Sequence, residues 1–554
     1  MSLIRIPSKL LVLSASACVL AACGGGGGSS APAPAPVAPA PPPPPPPPPT
    51  SSSVTLSGKA TYDRVPFGTN GNGLNFSAIT QEPIRQAVIE LLDSSDTVLQ
   101  SGVTDDNGDY SFTVDSNTDV KVRVKAQLLQ TTGSERNTRI LDNTNSNALY
   151  ALEGSLSSSG TADQVRNLNA DSGWTGSSYT QPRAAAPFAL LDTMLKVKDV
   201  FVSVDADVDF PQLNVFWSVD NRPVDGTVAN GEIGTSSYTI INNVPTILIL
   251  GDAAADTDEF DESVVAHEFG HFFENQIGRT DTLGGQHSLT ARLDKRLAFS
   301  EGWANALSGF SVAQVYRDSF NNSTQDFGFD LETNDYGARG WFIEGSVQSI
   351  LYDVMDGASD GADTISAGMG PIYRTFVSQA FKDIAPAVSI FSFSNFLRTE
   401  TGVDTAVYDQ LLSNQNINSS ELDGAGETND GGLPGILPVY RTLTIGAAAV
   451  PFCSIDDAGE YNRLGNRTLF LMDVPATQSV TLTMTATSNP PDTDPDFYIY
   501  DQGNLIARAQ SADLNTETFT GSFTAGTYLI DAYDFVNAET GGDSRDSCFT
   551  MEAQ

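Results

Sequence analysis

The chain has 554 residues, 40% of them hydrophobic, and a formal net charge of −39. That length can hold several cores of ordinary size, and so acidic a surface repels phosphate backbones and anionic lipid headgroups, which argues against nucleic acid as a partner. Gly and Pro crowd the first residues, which marks a linker there rather than loose packing throughout.

Arg5 and Lys9 precede an apolar run from Leu10 to Leu20, and Leu20-Ala21-Ala22-Cys23 follows as a cleavage site, so residues 1–22 read as an export signal. The Leu-Ala-Ala-Cys pattern resembles the lipobox of bacterial lipoproteins. The resemblance implies that Cys23 becomes the lipidated first residue, anchoring the chain to a membrane. Gly24 is not the aspartate that retains such proteins at the inner membrane, which implies an outer-membrane address facing the periplasm or the cell surface. Residues 23–53 are Gly/Ser and then proline-rich, with Pro41 to Pro49 unbroken; this favours a polyproline II stalk of ~3.1 Å per residue.

Over 54–130, runs such as Val54-Thr55-Leu56, Tyr110-Ser111-Phe112-Thr113-Val114 and Val120-Lys121-Val122-Arg123-Val124 alternate apolar with polar residues, the pattern of an antiparallel β-sandwich. The stretch from Thr104 to Phe112 resembles carboxypeptidase-regulatory-like sandwich domains. Asp105, Asp106 and Asp109 suit either a hairpin turn or calcium, the turn being preferred. A connecting region, 131–182, leads to a section with helical periodicity, 183–432, which contains all three histidines. Short alternating strands return over 437–554 and resemble the pre-peptidase C-terminal modules of secreted proteases. Cys453 and Cys548 lie near the two ends of this last unit and are expected to pair in an oxidising compartment. No later stretch is long and apolar enough to span a bilayer.

The chemistry is concentrated in Asp261 to Gly278, which reads as a helix that is acidic at its start and closed by glycine. One turn separates His267 from His271, so both imidazoles stand on one face and can take two corners of a tetrahedral zinc site, with Glu268 beside the metal as general base. Zinc needs a third protein ligand and an open position for water. Glu301, on a second expected helix from Leu297 to Leu307, and His287, in a Gly-rich loop, are the candidates. Glu274 on the same face suits a neighbour of the metal and a solvated helix end equally. The acidic run Asp256 to Glu262 suits calcium, although capping of the helix accounts for part of it.

His267-Glu268-Phe269-Gly270-His271 followed by Glu301 resembles the gluzincins, the zinc peptidase clan that includes thermolysin, in a divergent branch. The resemblance implies Glu301 as third ligand, and Asn305 in the place of an aspartate that bonds a ligand histidine. A metzincin pattern fails because Ile277 stands where a third histidine is required. The expected fold is therefore multidomain: an α+β zincin-like metallopeptidase domain flanked by N-terminal and C-terminal β-sandwich domains. The expected activity is zinc-dependent hydrolysis of peptide bonds in peptide or protein substrates, as an endopeptidase rather than an exopeptidase. His287, Tyr352 and Tyr373 are candidate donors to the oxyanion. Two rivals are a non-catalytic, zinc-stabilised surface lipoprotein and a zinc hydrolase of non-peptide substrates; the presence of Glu268 weighs against the first, because a structural site needs no base. The lipobox reading makes a prediction of its own: Cys23→Ser protein lacks the acyl mass and is released from membranes, as fractionation and mass spectrometry would read.

Overall fold

The computed structural model describes residues 2–6, 52–69, 71–129, 136–333, 337–357, 364–487, 493–538 and 545–554. Cys23 and nearly all of the proposed signal and stalk lie outside the described residues; Ser2–Ile6 is extended and pairs with Ala148–Glu153. No described helix is long and apolar enough to cross a membrane. The chain is multidomain and largely β, with several sheets.

The alternating runs are strands: Ser53–Arg64, Ala87–Asp93, Asp109–Asp115 and Asp119–Leu128. In Asp109–Asp115 every second residue is buried, the signature of a strand with one wet face. Between them Asp105 Oδ1 accepts from the backbone N–H of Asn107 and of Asp109, both at 2.8 Å. That is the local bonding of a turn.

The first unit does not end at residue 130. One ten-stranded sheet runs in order through Ser237–Ile241, Val244–Ile249, Phe210–Trp217, Arg136–Asp142, Ala148–Glu153, Asp119–Leu128, Ala87–Asp93 and Val98–Val103, with Ser2–Ile6 and Ser157–Ser158 joined off that path. The segment 131–182, read from the sequence as a connection, therefore supplies two of the strands that join the β-rich start to the helical section. Val215 stands opposite Ile140 in the parallel register and both are fully buried. Joining the strands satisfies backbone groups that two separate sheets would leave along open edges.

Helices α1 (Ala186–Val204), α2 (Glu262–Gln276), α3 (Lys295–Ser311) and α4 (Glu344–Met355) build the helical section. Phe201 of α1 stacks on Phe273 of α2 with ring centroids 4.0 Å apart. Two glycines set how closely the helices approach. A Cβ on Gly270 would lie 2.8 Å from Ala304 Cα, and one on Gly302 would lie 2.5 Å from Val347 Cβ. The backbones of α2 and α3, and of α3 and α4, thus meet where only hydrogen fits, and Trp303 Nε1 donates to the Gly270 carbonyl at 3.0 Å.

The last unit has its own core around Phe470, Met472, Leu482, Phe497 and Phe549, between a five-stranded and a four-stranded sheet. Cys453 and Cys548 are disulfide-bonded across neighbouring strands. A buried ion network docks this unit on α3: Arg296 bonds Asp294 at 2.9 Å and Asp531 at 2.9 Å, and Arg467 bonds the same Asp531 at 3.1 Å.

Alanine in place of glycine usually stabilises a helix interior by ~0.5–1 kcal/mol. At Gly270 the contact with α3 reverses the sign, since overpacking costs about 1–3 kcal/mol. Gly270→Ala is expected to lower the denaturation midpoint, measured by circular dichroism; a rise would show that the helices can separate freely.

Candidate metal centre

The acidic start of α2 does not cap it. Asp261 is the N-cap residue but makes no side-chain capping bond; its Oδ2 accepts from the Ser319 N–H at 2.6 Å instead. Burial along α2 comes from Val264, Val265, Phe269, Phe272 and Phe273, all nearly or fully buried. With these against the core, His267 and His271 turn toward α3.

There the ring nitrogens meet one carboxylate. His267 Nε2 lies 3.2 Å and His271 Nε2 3.3 Å from Glu301 Oε2, and the two Nε2 atoms are 3.1 Å apart. The opposite side of each ring is occupied. His267 Nδ1 lies 2.8 Å from Asn305 Oδ1, and that amide is oriented by a bond from its Nδ2 to Gln348 Oε1 at 2.9 Å. His271 Nδ1 lies 3.2 Å from Ser300 Oγ, which donates to Glu274 Oε2 at 2.6 Å. Carbonyl and hydroxyl oxygens accept here, so each Nδ1 carries the hydrogen and each Nε2 presents a lone pair. Glu301 Oε2 is buried with no well-formed hydrogen bond of its own.

Two lone pairs and an anionic oxygen facing one another cannot bond without a positive centre between them. Protons can supply it. Burial works to keep His271 neutral, but Glu301 outweighs it and lifts the pKa to about 9, and burial of Glu301 is likewise overcome by the neighbouring imidazoles, which hold it well below the usual carboxylate range. A divalent cation supplies it more directly, and the donor set of two imidazoles and one carboxylate suits zinc. Glu274 shows the cost of burial with less support: its pKa rises to about 7, against the opposing bond from Ser300.

His287 reaches the same point from its loop. Its Nε2 lies 3.4 Å from Glu301 Oε2 and its Nδ1 2.8 Å from Glu344 Oε2. The ring is 34% exposed at the side chain, whereas Glu344 is buried. Burial opposes charge on this ring, but the bond to Glu344 and the charge of Glu301 prevail and raise its pKa to about 9. Both third-ligand candidates are thus adjacent, Glu301 from the core and His287 from the mouth. Tyr352 and Tyr373 are elsewhere: Tyr373 Oη bonds Asp205, and neither lines the cleft.

That cleft has a volume of about 910 Å³. Glu268 lines it beside the two histidines, and Tyr238 enters from Ser237–Ile241, a terminal strand of the large sheet that pairs only with Val244–Ile249 among the described residues. Glu344, Ser300 and Gln348 were not foreseen as site residues. Glu344 is the first residue of α4, and an acidic residue at a helix start reads as dipole compensation, which hides its second use.

A second cluster lies at the foot of α2. Carboxylate oxygens of Asp256, Asp258 and Asp318 lie within 4.8 Å of one another, and Asp261 is next to them. The other acids of this run have cations: Glu259 pairs with Arg183 at 2.7 Å, and Glu262 with Lys196 at 2.8 Å. Among the described residues the four aspartates have no cationic side chain in ion-pair contact, and Oδ1 of Asp256, of Asp258 and of Asp261 is buried without a hydrogen-bond partner. Burial, reinforced by the charge of Asp318, pushes Asp258 and Asp261 well above the usual range, and burial lifts Asp318 to about 7 and Asp256 to about 6.

Residues 215–409 match the Mycolysin C-terminal domain, a domain found in thermolysin-like peptidases. The matched span contains all three histidines, Glu268, Glu301 and Asn305. The match covers less than half of the chain and likens this span to a domain of peptidases. It is also 31% identical over 130 residues to an uncharacterized protein of Archaeoglobus fulgidus, covering 22% of this chain and 37% of that one; the chain spans little more than a third of that relative. Among solved structures, the pre-peptidase C-terminal domain of a Bacillus anthracis collagenase is 10% identical with a TM-score of 0.16, covering 21% of this chain and 94% of that one. A putative carbohydrate binding protein of Pseudomonas aeruginosa is 14% identical with a TM-score of 0.13, covering 21% and 86%. Likenesses this faint carry no argument.

Proposed function

We propose that this chain is a zinc-dependent endopeptidase, held at the outer membrane by a lipid on Cys23. The observation that carries the reading is the meeting of His267 Nε2, His271 Nε2 and Glu301 Oε2 within 3.1–3.3 Å, with Glu268 on the wall of the same cleft. His267, His271 and Glu301 would hold the ion. When bound, zinc supplies an acidified water and a polarised substrate carbonyl.

The remaining work falls to side chains. Glu268 takes the proton from the attacking water and passes it to the leaving nitrogen, as a general base and then an acid. His287 stands between two carboxylates, which favour its doubly protonated form, so its Nε2–H donates to the carbonyl oxygen as negative charge develops there. Glu344 keeps that ring in place. The free edge of Ser237–Ile241 offers backbone groups to an extended peptide. An open strand edge can accept chain on both sides of the reacting bond, which favours an endopeptidase.

Calcium is the second ion. Hard oxygen donors at this spacing suit it, and buried carboxylate oxygens without partners are the independent sign that a cation belongs there. Bound by Asp256, Asp258, Asp261 and Asp318, it would tie the start of α2 to the hairpin strand Val315–Phe320, whose Tyr316 ring lies 6.2 Å from His267.

Three variants separate the roles around zinc, with metal analysis and a quenched peptide substrate as readouts. Glu268→Gln is expected to keep about one zinc per chain and lose turnover by several orders of magnitude. Glu301→Ala is expected to lose tight zinc binding. His287→Ala keeps zinc and lowers kcat by roughly 10²–10³ with little change in KM, as for loss of an oxyanion donor; loss of metal from His287→Ala with retention in Glu301→Ala would reverse the ligand assignment. For calcium, the midpoint of zinc-loaded protein should rise when Ca²⁺ replaces EGTA. Asp258→Asn and Asp318→Asn should raise the midpoint in EGTA, by removing repulsion, and abolish the response to Ca²⁺. A response that survives both substitutions would place the ion elsewhere.

A further inference from the structure

The last β unit reaches into the cleft. Its segment 461–464 lies along the loop that carries His287: Asn462 Nδ2 donates to the carbonyls of Gly284 at 2.8 Å and Gln286 at 3.1 Å. Leu464 N–H donates to the Arg292 carbonyl at 3.0 Å, and Asp294 N–H to the Asn462 carbonyl at 2.8 Å. Gly285 is at φ +92°, and a Cβ there would lie 2.4 Å from the Tyr461 ring. Arg463 is carried by this strap to the wall of the cleft that holds His267, Glu268, His271 and Glu301.

Arg463 is the cationic side chain, Lys or Arg, among the described residues that line this cleft. Its Nη1 donates to the Gln286 carbonyl at 3.0 Å, which uses one of five N–H groups. No described carboxylate is in ion-pair contact with it; Arg166, Arg292 and Arg441 share that state but bond backbone carbonyls away from the cleft, so Arg463 is set apart by its place beside the histidines and Glu301. With its remaining N–H groups on the wall of the cleft that holds the histidines and Glu301, this guanidinium can meet an anion entering that cleft. A guanidinium matches a carboxylate through two parallel N–H bonds.

We infer that Arg463 reads a carboxylate on the substrate, so that peptides presenting a carboxylate near the reacting bond are the preferred class. The inference rests on the peptidase reading and adds a specificity residue contributed by the last β unit. An acidic side chain and a peptide C-terminus offer the same group.

The test is equilibrium binding to zinc-loaded Glu268→Gln protein, which needs no turnover. Fluorescent peptides of one sequence carry Glu or Gln beside the central bond, each with a free or an amidated C-terminus. The Glu peptide, or the free-acid peptide, is expected to bind about tenfold or more tightly, the usual effect of a hydrogen bond to a charged group. Preference for Glu assigns a side-chain carboxylate, and preference for the free acid assigns the terminus. Adding Arg463→Ala should erase the preference and leave the neutral amidated peptide's affinity unchanged. Arg463→Lys should restore part of it. If Arg463 only braced the His287 loop, Arg463→Ala would lower kcat for every peptide alike in the otherwise unaltered protein, with no change in preference. Equal affinities for all four peptides, or a preference that survives Arg463→Ala, would overturn the inference. Failure of the peptidase reading shows separately, as zinc-loaded protein with Glu268 intact that cleaves none of these peptides.

Discussion

Two imidazole nitrogens and a carboxylate oxygen converge on one buried point that a positive centre must hold together, and much of the surrounding structure is arranged to keep that convergence. Each Nδ1 is tied back, to Asn305 and to Ser300, so neither ring can turn its lone pair away. Both partners are on α3, which also carries Glu301. The geometry therefore reduces to how α2 lies on α3, and Gly270 and Gly302 determine that approach by leaving no room for a Cβ. Packing at this density makes the charge costly when bare, and a cation is the simplest way to settle it.

The flanking units serve the same region from two sides. On one side the ten-stranded sheet continues from the β-rich start into the helical section, ending in the strand Ser237–Ile241 at the cleft. On the other, Arg296, Asp294, Asp531 and Arg467 form a buried network that fixes the last unit to the first turn of α3. Such a network is expensive to desolvate and strongly destabilising to break at one partner. It joins two cores in one orientation, and that orientation brings segment 461–464 against the His287 loop.

Charge is handled differently in different parts of the acidic run before α2. Glu259 and Glu262 have Arg183, Lys196 and Arg64. Asp256, Asp258 and Asp261 face Asp318 from a hairpin that follows α3. In the sequence these acids form one continuous stretch, and only the positions of distant residues divide them into paired and unpaired groups.

The strand pattern of the first and last units was legible because burial of one face imposes a period of two on local sequence. The two histidines and Glu268 were legible because a helix places i and i+4 on one face without help from the rest of the chain. Local sequence likewise marked Cys453 and Cys548 as partners by their number and position. The third member, Glu301, required a family resemblance, since no local rule joins residues 271 and 301. His287 with Glu344, Asp318 with Asp258, and Arg463 with the cleft are each separated by long stretches of chain and marked by no periodicity. They meet because the sheet, the close helix crossings and the buried ion network fix the paths between them. The sequence by itself determined the local chemistry and the elements that display it, which depend on neighbours within a turn or a strand. The tertiary structure decided which distant side chains share a site, because those contacts are set by packing among elements and not within them.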